Sequence, residues 1–286
     1  MKKNRLAILF VACFAVACGR DVEPVCTELR IAARPESAAT RTVLRQDNSV
    51  AFVSTDTLAV FDGSGRAQKF TTSAVYDDGS ADFAGTVTTP AESYIAVYPY
   101  SGNCGLYGDD VIINIPAEQT AVAGSFDPAA NVSVGLTESL AFDTHSLALK
   151  NVCALIKFSV PEGQSYSTAI LFTFDAIAGK MLCSVSDTPT LTPQIDEYYS
   201  TVTMQGRIEG GKWYYMAVNP TVLQDGFALY LFDSTATEDQ LENYAMVKST
   251  SQDVTLSRSR ILNLGIIGAE PGAAFEPLAG ETVLDW

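Results

Sequence analysis

The sequence predicts an all-β protein built from sandwiches, and three observations support that prediction. Short runs rich in β-branched and aromatic residues recur along the chain, each bounded by Gly, Pro, Asn or Asp. In residues 154–160 every second residue is apolar, which is the period of a half-buried strand. Strands and helices do not alternate regularly, so sandwiches are favoured over a parallel α/β sheet.

The strand candidates fall into two groups on either side of a turn-rich stretch at residues 126–135. The first group is 28–33, 57–61, 93–98 and 111–115, and the second is 153–160, 169–174, 201–207, 213–218, 227–232 and 260–267. The evenly apolar run 226–232 predicts a central strand, and Thr237 with Gln240 predicts the cap of one short helix. We therefore expect an N-terminal domain at 27–143, a C-terminal domain at 144–268 and a tail at 269–286.

The first 17 residues predict an export signal. Three cations among the first five residues precede an apolar or small run, which is the order of a secretory signal. That run is about half the roughly 20 residues that a membrane span needs. Because residues 15–18 resemble a lipobox, with Ala15 where leucine is usual, we predict lipidation of Cys18 and a tether at 18–26. Cys13 is a poorer candidate, and cleavage after Ala17 without lipid is the alternative.

Composition excludes one class of partner. The chain has 18 Lys and Arg against 33 Asp and Glu, a net charge of −15. Nucleic-acid binding needs clustered cations that displace counterions from phosphate, and the sequence has no such cluster. An acidic surface keeps an exported protein soluble. We therefore expect no nucleic acid among the partners.

The cysteines after Cys18 give no metal motif. Cys26, Cys104, Cys153 and Cys183 lack CxxC spacing. Three disulfide pairings are open, and so is the absence of any disulfide. Cys153 and Cys183 lie in apolar runs and are predicted to be buried thiols, whereas Cys104 lies in a turn.

The residues that catalysis usually requires are few. His145 is the only histidine, and Asp143 and Ser146 are merely its neighbours in the chain, so we expect a surface or satisfied loop histidine. Zinc catalysis needs several nitrogen or sulfur ligands, which the sequence does not supply. Carboxylates are plentiful, yet no glycosidase pair stands out. We expect neither an enzyme nor a cofactor.

Two stretches have the composition of binding sites. Residues 77–82 are rich in oxygen ligands but lack the spacing of an EF-hand, so a hairpin tip is favoured over a calcium site. The aromatic residues Trp213, Tyr214 and Tyr215 could form a sugar platform. Strand alternation turns at least one of them inward, so core packing is favoured.

Several motifs resemble a known family when they are taken in order. They are Ala-Thr-Arg-Thr at 39–42, the run 52–61, the aromatic strand ending in Tyr-Pro-Tyr at 94–100, Ile-Pro-Ala-Glu-Gln at 115–119, and the runs 140–142, 154–158 and 213–218. Together with the export signal they resemble the fimbrillin family, the lipoprotein-derived type V pilins. Phe52 stands where that family commonly has tryptophan, and Thr55 stands in place of its glycine.

The resemblance implies two tandem transthyretin-like β-sandwiches and a structural or adhesive subunit of fimbriae. Such a subunit travels as a lipoprotein to the cell outer membrane, where an arginine-specific protease removes its first strand. A neighbouring subunit then fills the groove by strand addition. The implied partners are other fimbrial subunits, the outer membrane through the lipid, and a ligand on a host or bacterial surface. Stalk, anchor and tip roles stay open, and the alternative is a non-polymerising surface lipoprotein that binds glycan or protein.

The N-terminal candidate site is a strand followed by a cleavable segment. Leu29, Ile31 and Ala33 alternate with more polar residues, which predicts a first strand with one buried face. A small polar stretch follows, of the kind that proteases cut. Arg41 and Arg45 are the candidate processing sites within it.

The C-terminal candidate site is the end of the chain. Thr282, Leu284 and Trp286 alternate with Val283 and Asp285, so they share one face of an extended segment. We predict that residues 281–286 donate or complete a strand, against a loosely packed end as the alternative.

Overall fold

The computed structural model describes residues 26–35, 43–44, 50–141, 143–268 and 283–285, which are almost entirely strands and turns. The first twelve strands are β1 (Thr27–Pro35), β2 (Val43–Leu44), β3 (Val50–Ala51), β4 (Thr57–Phe61), β5 (Ala67–Val75), β6 (Ala81–Val87), β7 (Ile95–Tyr98), β8 (Gly105–Tyr107), β9 (Asp110–Ile115), β10 (Glu118–Thr120), β11 (Ser133–Ala141) and β12 (Thr144–Asn151). The others are β13 (Ala154–Ser159), β14 (Ser165–Phe172), β15 (Ala178–Cys183), β16 (Leu191–Tyr199), β17 (Thr201–Glu209), β18 (Trp213–Val218), β19 (Val222–Leu223), β20 (Phe227–Phe232), β21 (Met246–Thr250), β22 (Val254–Thr255), β23 (Arg260–Ile266) and β24 (Val283–Asp285).

Seven strands close into a barrel in the order β1, β12, β11, β7, β4, β5 and β6. Strand β1 completes the closure, because it runs parallel to β12 and antiparallel to β6. Successive strand residues point to opposite faces, so one row of each strand fills the interior. That interior is a core of Leu29, Ile31, Ala33, Phe52, Leu58, Val60, Phe70, Ala81, Phe83, Val87, Tyr94, Ala96, Tyr98, Leu147 and Leu149.

A second and larger core involves three more sheets. Their orders are β10-β17-β14-β20-β21, β18-β13-β23-β24 and β16-β15-β9-β8. The outer side chains of three barrel strands, including Ala59, Phe61, Val97 and Val134, belong to the same core. One wall of the barrel is therefore buried on both faces.

The prediction of an all-β chain is confirmed, and two local predictions are confirmed with it. Strand β20 lies between β14 and β21, the central position expected of an evenly apolar run. The Thr237 amide donates to Gln240 Oε1 at 3.1 Å, and this cap begins the short helix Glu238–Asn243, which is 3₁₀ rather than α.

The prediction of a half-buried strand at residues 154–160 is wrong. In β13 only Lys157 is partly exposed, and the intervening Leu155 and Ser159 are buried. Strand β13 lies between β18 and β23, so it is a central strand with both faces covered.

The N-terminal strand group closes into a barrel where a sandwich was expected. The predicted domain boundary between residues 143 and 144 falls within the β11–β12 hairpin, and β12 pairs inside the barrel with β1 and β11. Strands β9 and β10, in contrast, pair with the later strands β15 and β17. The division into 27–143 and 144–268 stays a prediction.

Candidate functional site

Strand β1 leads from the barrel to the predicted processing segment. It pairs with β6 from Thr27 opposite Val87 to Ala33 opposite Ala81. Its other edge pairs with β12, and the Arg30 amide donates to the Asp143 carbonyl at 2.8 Å. Because both edges are hydrogen-bonded, loss of β1 would leave unpaired backbone on two strands, which is a template for another strand.

The inward face of β1 fits the strands beside it layer by layer. Leu29 lies opposite Gly85, and Ala33 lies between Ala81 and Leu147. All three inward residues of β1 are at most 2% exposed. Burying a leucine or an isoleucine contributes roughly 1.5–3 kcal/mol. The apolar burial of this face therefore stabilises β1 in the barrel, and a strand that replaced β1 would gain a similar burial.

Gly85 permits a close approach within this site. A Cβ built at Gly85 would lie 2.6 Å from the Phe70 ring. Gly85 is also the β6 residue in register with Leu29. The absence of a side chain therefore lets the ring pack against the strand at the level where Leu29 enters the core.

The outward face of β1 is polar. Glu28, Arg30 and Arg34 are exposed and Ala32 is half-buried. The alternation of apolar and more polar residues in the sequence therefore corresponds to side chains that point alternately into and out of the barrel. The burial of Leu29, Ile31 and Ala33 agrees with the predicted strand. The role of β1 as a displaced strand stays a prediction.

The other predicted site residues lie mostly beyond the described structure. Cys18, Arg41, Arg45, Thr282 and Trp286 are outside the described residues. Leu284 lies in β24, whose backbone pairs with Ile261 of β23. The structure thus places β24 at one edge of the β18-β13-β23-β24 sheet, whereas β1 belongs to the barrel.

The prediction of a surface or satisfied loop histidine is wrong for His145. It lies on β12, is 3% exposed, and its Nδ1 is buried without a hydrogen-bond partner among the described residues. Its ring packs edge-on against Tyr94, with 5.1 Å between ring centroids. Burial lowers the pKa of this imidazole. Sequence reasoning missed the site because β1, one of the two strands beside His145, lies more than a hundred residues earlier in the chain.

The cysteines fit their predicted surroundings. Cys153 and Cys183 are buried, and burial raises the pKa of each thiol to about 12. Cys26 is exposed, and all four cysteines after residue 25 are free. Buried protonated thiols are poor nucleophiles, so these two residues act as core side chains.

The two stretches with binding-site composition have structural roles. Tyr214 is fully buried, as alternation required. Trp213 and Tyr215 flank the Lys157 ammonium, whose Nζ lies 4.4 Å and 5.6 Å from the two ring centroids. This arrangement is a cation–π cluster on the sheet, so the rings already contact a side chain of the same chain.

Residues 77–80 form the tip of the β5–β6 hairpin, and residues 81 and 82 begin β6. The Ser80 amide and hydroxyl both donate to Asp78 Oδ1, at 2.9 Å and 2.6 Å, and the Tyr76 hydroxyl donates to Asp82 at 2.7 Å. Within the described ranges, no cluster of three or more His, Cys, Asp or Glu residues could hold a metal ion. In the same ranges, no helix is long and apolar enough to cross a membrane.

Comparisons with known proteins give structural likenesses only. No family model matches the chain, and no curated protein matches it. A Bacteroides uniformis protein, provisionally described as a cell adhesion protein, is similar with 13% identity and a TM-score of 0.47, over 91% of this chain and 99% of that one. The tip fimbrial protein Mfa3 from Porphyromonas gingivalis, with a C-terminal truncation, is 11% identical with a TM-score of 0.39, over 91% and 100%. A fimbrial protein from Bacteroides ovatus is 12% identical with a TM-score of 0.34, over 84% and 48%.

Proposed function

We propose that this chain is a structural or adhesive subunit of cell-surface fimbriae, exported as a lipoprotein and assembled by strand exchange after arginine-specific cleavage. The observation that supports this most directly is the position of β1. It is a barrel strand paired on both edges, and it ends at Pro35, six residues before Arg41. One cut after Arg41 or Arg45 would separate both β1 and the lipidated Cys18 from the rest of the chain.

The proposal follows from the energetics of the groove. Removing β1 would expose an apolar slot lined by Gly85, Phe83 and Leu147, together with two unpaired strand edges. An incoming strand recovers the main-chain hydrogen bonds and the apolar burial. Release from the membrane and competence for assembly would thus result from the same cut.

The proposal keeps two tandem domains, predicted as transthyretin-like sandwiches, as its finer architecture, with the N-terminal domain built on the closed barrel. The support is that the barrel interior and the region of the later sheets have separate apolar cores. Limited proteolysis with mass spectrometry tests it, because two domains would give two resistant fragments. A single resistant fragment spanning both cores would contradict it.

The deciding experiment is digestion of the full-length protein with an arginine-specific protease, followed by N-terminal sequencing, size-exclusion chromatography and negative-stain microscopy. We expect a new N-terminus at residue 42 or 46 and growing oligomers. The double variant Arg41→Gln/Arg45→Gln is the matched control and should stay monomeric. A cut core that remains monomeric, or that unfolds, would contradict strand exchange.

Lipid anchoring is tested separately. We expect Cys18→Ala to abolish palmitate incorporation and to move the protein out of the membrane fraction. Cys26→Ala is the control, since Cys26 is an exposed cysteine eight positions further along. Retention of lipid by the Cys18 variant would show that another residue carries it.

One observation favours the second candidate function, a non-polymerising surface lipoprotein that binds glycan or protein. Strand β16 is the edge of its sheet, and Phe174, Ile195 and Tyr199 around it are 73%, 85% and 54% exposed. Large exposed apolar patches mark interaction sites, and these side chains would supply the apolar surface of such a patch. Glycan-array or pull-down binding that Phe174→Ala and Tyr199→Ala abolish, with no filaments after cleavage, would favour this function instead.

A further inference from the structure

His145 occupies the seam where β1 joins the barrel. On β12 it is in register with Ile31 of β1 on one side and with Ser139 of β11 on the other. Residues 145, 147, 149 and 151 share the inward face of β12, because strand residues alternate. The imidazole is therefore an ionisable group at the barrel end of the β1–β12 contact.

The imidazole borders a cavity and has no charged partner among the described residues. The cavity holds about 600 Å³ and is lined by Thr27, Leu29, residues 90–94 and residues 137–139 together with His145. The charged groups on the elements packed around the imidazole are Glu92 on the cavity loop, Glu138 on β11, Asp143 in the turn before β12, and Glu28 and Arg30 on β1, all exposed. Among the described residues, none of these groups forms a hydrogen bond or ion pair with His145.

A proton on His145 would be poorly accommodated in the closed barrel. Its Nδ1 is buried and has no acceptor among the described residues. A buried charge without a partner is costly, and the lowered pKa of the imidazole has the same cause, which is burial. Opening the seam would give the ring access to water.

We propose that His145 is an acid-sensitive latch on β1, such that its protonation loosens the β1–β12 seam and favours release of the strand. This inference rests on the proposed function, because it concerns the regulation of the same strand. In the uncut chain the seam closes again when the pH rises. In the cut chain the loosened β1 is free to leave and the groove to accept a partner strand.

The direction of the pH effect follows from proton linkage. A histidine whose pKa is lower in the closed state binds more protons in the open state. The closed state is favoured fully above the ordinary histidine pKa of about 6.5 and progressively less as the pH falls below it. The equilibrium constant for opening of the seam increases by at most about tenfold for each unit by which the pKa of His145 differs between the closed and the open state.

Native-state hydrogen exchange on the uncut, full-length protein tests the proposal without any protease. Protection factors, corrected for intrinsic exchange rates, are compared at about pH 7.5 and about pH 5.5, on either side of the histidine titration. We expect protection in β1 and β12 to fall with pH while protection in β14 and β20 stays constant. His145→Phe and His145→Asn, which cannot titrate, should remove the fall in β1.

Two results would overturn the latch. One is an equal loss of β1 protection in wild type and in a folded His145 variant. The other is loss of the acid response in Glu92→Gln/Glu138→Gln, which would make the cavity carboxylates the titrating groups. A protein that passes this test yet does not oligomerise after cleavage keeps the latch and loses strand exchange.

Discussion

The first and last described strands differ in length and in the number of strands that pair with them. Strand β1 spans nine residues between two neighbours, and its inward face lies in the barrel core. Strand β24 spans three residues and, among the described strands, pairs with β23 alone. A strand held on both edges leaves only when several interactions break together, whereas a short edge strand can fray. If both ends take part in assembly, β1 needs a cut to leave and β24 needs none.

The largest loss of stability is expected from a substitution on the inward face of β1. Ile31→Ala removes a fully buried side chain between Phe83 and His145. We expect the free energy of unfolding to fall by about 3 kcal/mol, from lost apolar burial and the cavity left behind. Urea denaturation measures it. Ala32→Ser, on the outward face of the same strand, is the control and should cost much less; equal losses would mean that β1 is not held by its inward face.

The turn between β4 and β5 contains a second group, Asp62, through which pH affects the stability of the barrel. The Asp62 carboxylate is buried and accepts hydrogen bonds from Ser64 Oγ and Thr88 Oγ1, both at 2.6 Å, and from the Arg66 amide. Burial alone would raise its pKa, but these hydrogen bonds outweigh burial and hold the pKa well below the usual range. We expect Asp62→Ala to lower the free energy of unfolding by about 2–3 kcal/mol near neutral pH.

The pH dependence of that variant separates Asp62 from the β1 seam. The contribution of a carboxylate with a lowered pKa is complete above its unfolded pKa of about 3.9 and is lost as the pH falls further. The difference between wild type and Asp62→Ala should therefore be constant from about pH 7 to 5 and shrink below about pH 4. A difference that already shrinks near pH 6 would contradict this assignment.

A smaller loss is expected where β6 faces β1. A Cβ at Gly85 would lie 2.6 Å from the Phe70 ring, whereas a Cβ at Gly105 would meet no atom within 4 Å. Overpacking of a filled core typically costs 1–3 kcal/mol, so we expect Gly85→Ala to destabilise the protein by about 2 kcal/mol. Gly105→Ala is the control, measured by the same denaturation. Equal stabilities for both variants would show that Phe70 moves aside without cost.

The sequence predicted β1 because its signal is local. The alternation of Leu29, Ile31 and Ala33 with polar residues requires only the period of a strand. Barrel closure was not predictable in this way, because it depends on parallel pairing of β1 with β12, more than a hundred residues later. The burial of His145 and the tight packing at Gly85 follow from that closure, so no nearby residue gives a signal for either. Strand β24 is intermediate, because its alternation is visible but its partner strand is not.

The smallest effect on stability is expected from the other end of the chain. Deleting residues 281–286 removes the three-residue ladder that joins β24 to Arg260, Ile261 and Leu262 of β23. Strand β23 keeps its pairing with β13, so we expect the free energy of unfolding to change by less than about 1 kcal/mol, as for a terminal segment.

The same deletion should reduce subunit assembly after cleavage, because residues 281–286 are the candidate donor segment. A scrambled tail of the same length is the control, since it keeps chain length and composition but loses the alternation. Full assembly by the deletion variant would remove the donor role from this segment, and a large loss of stability would mean that β24, despite its single neighbour, is as firmly held as β1.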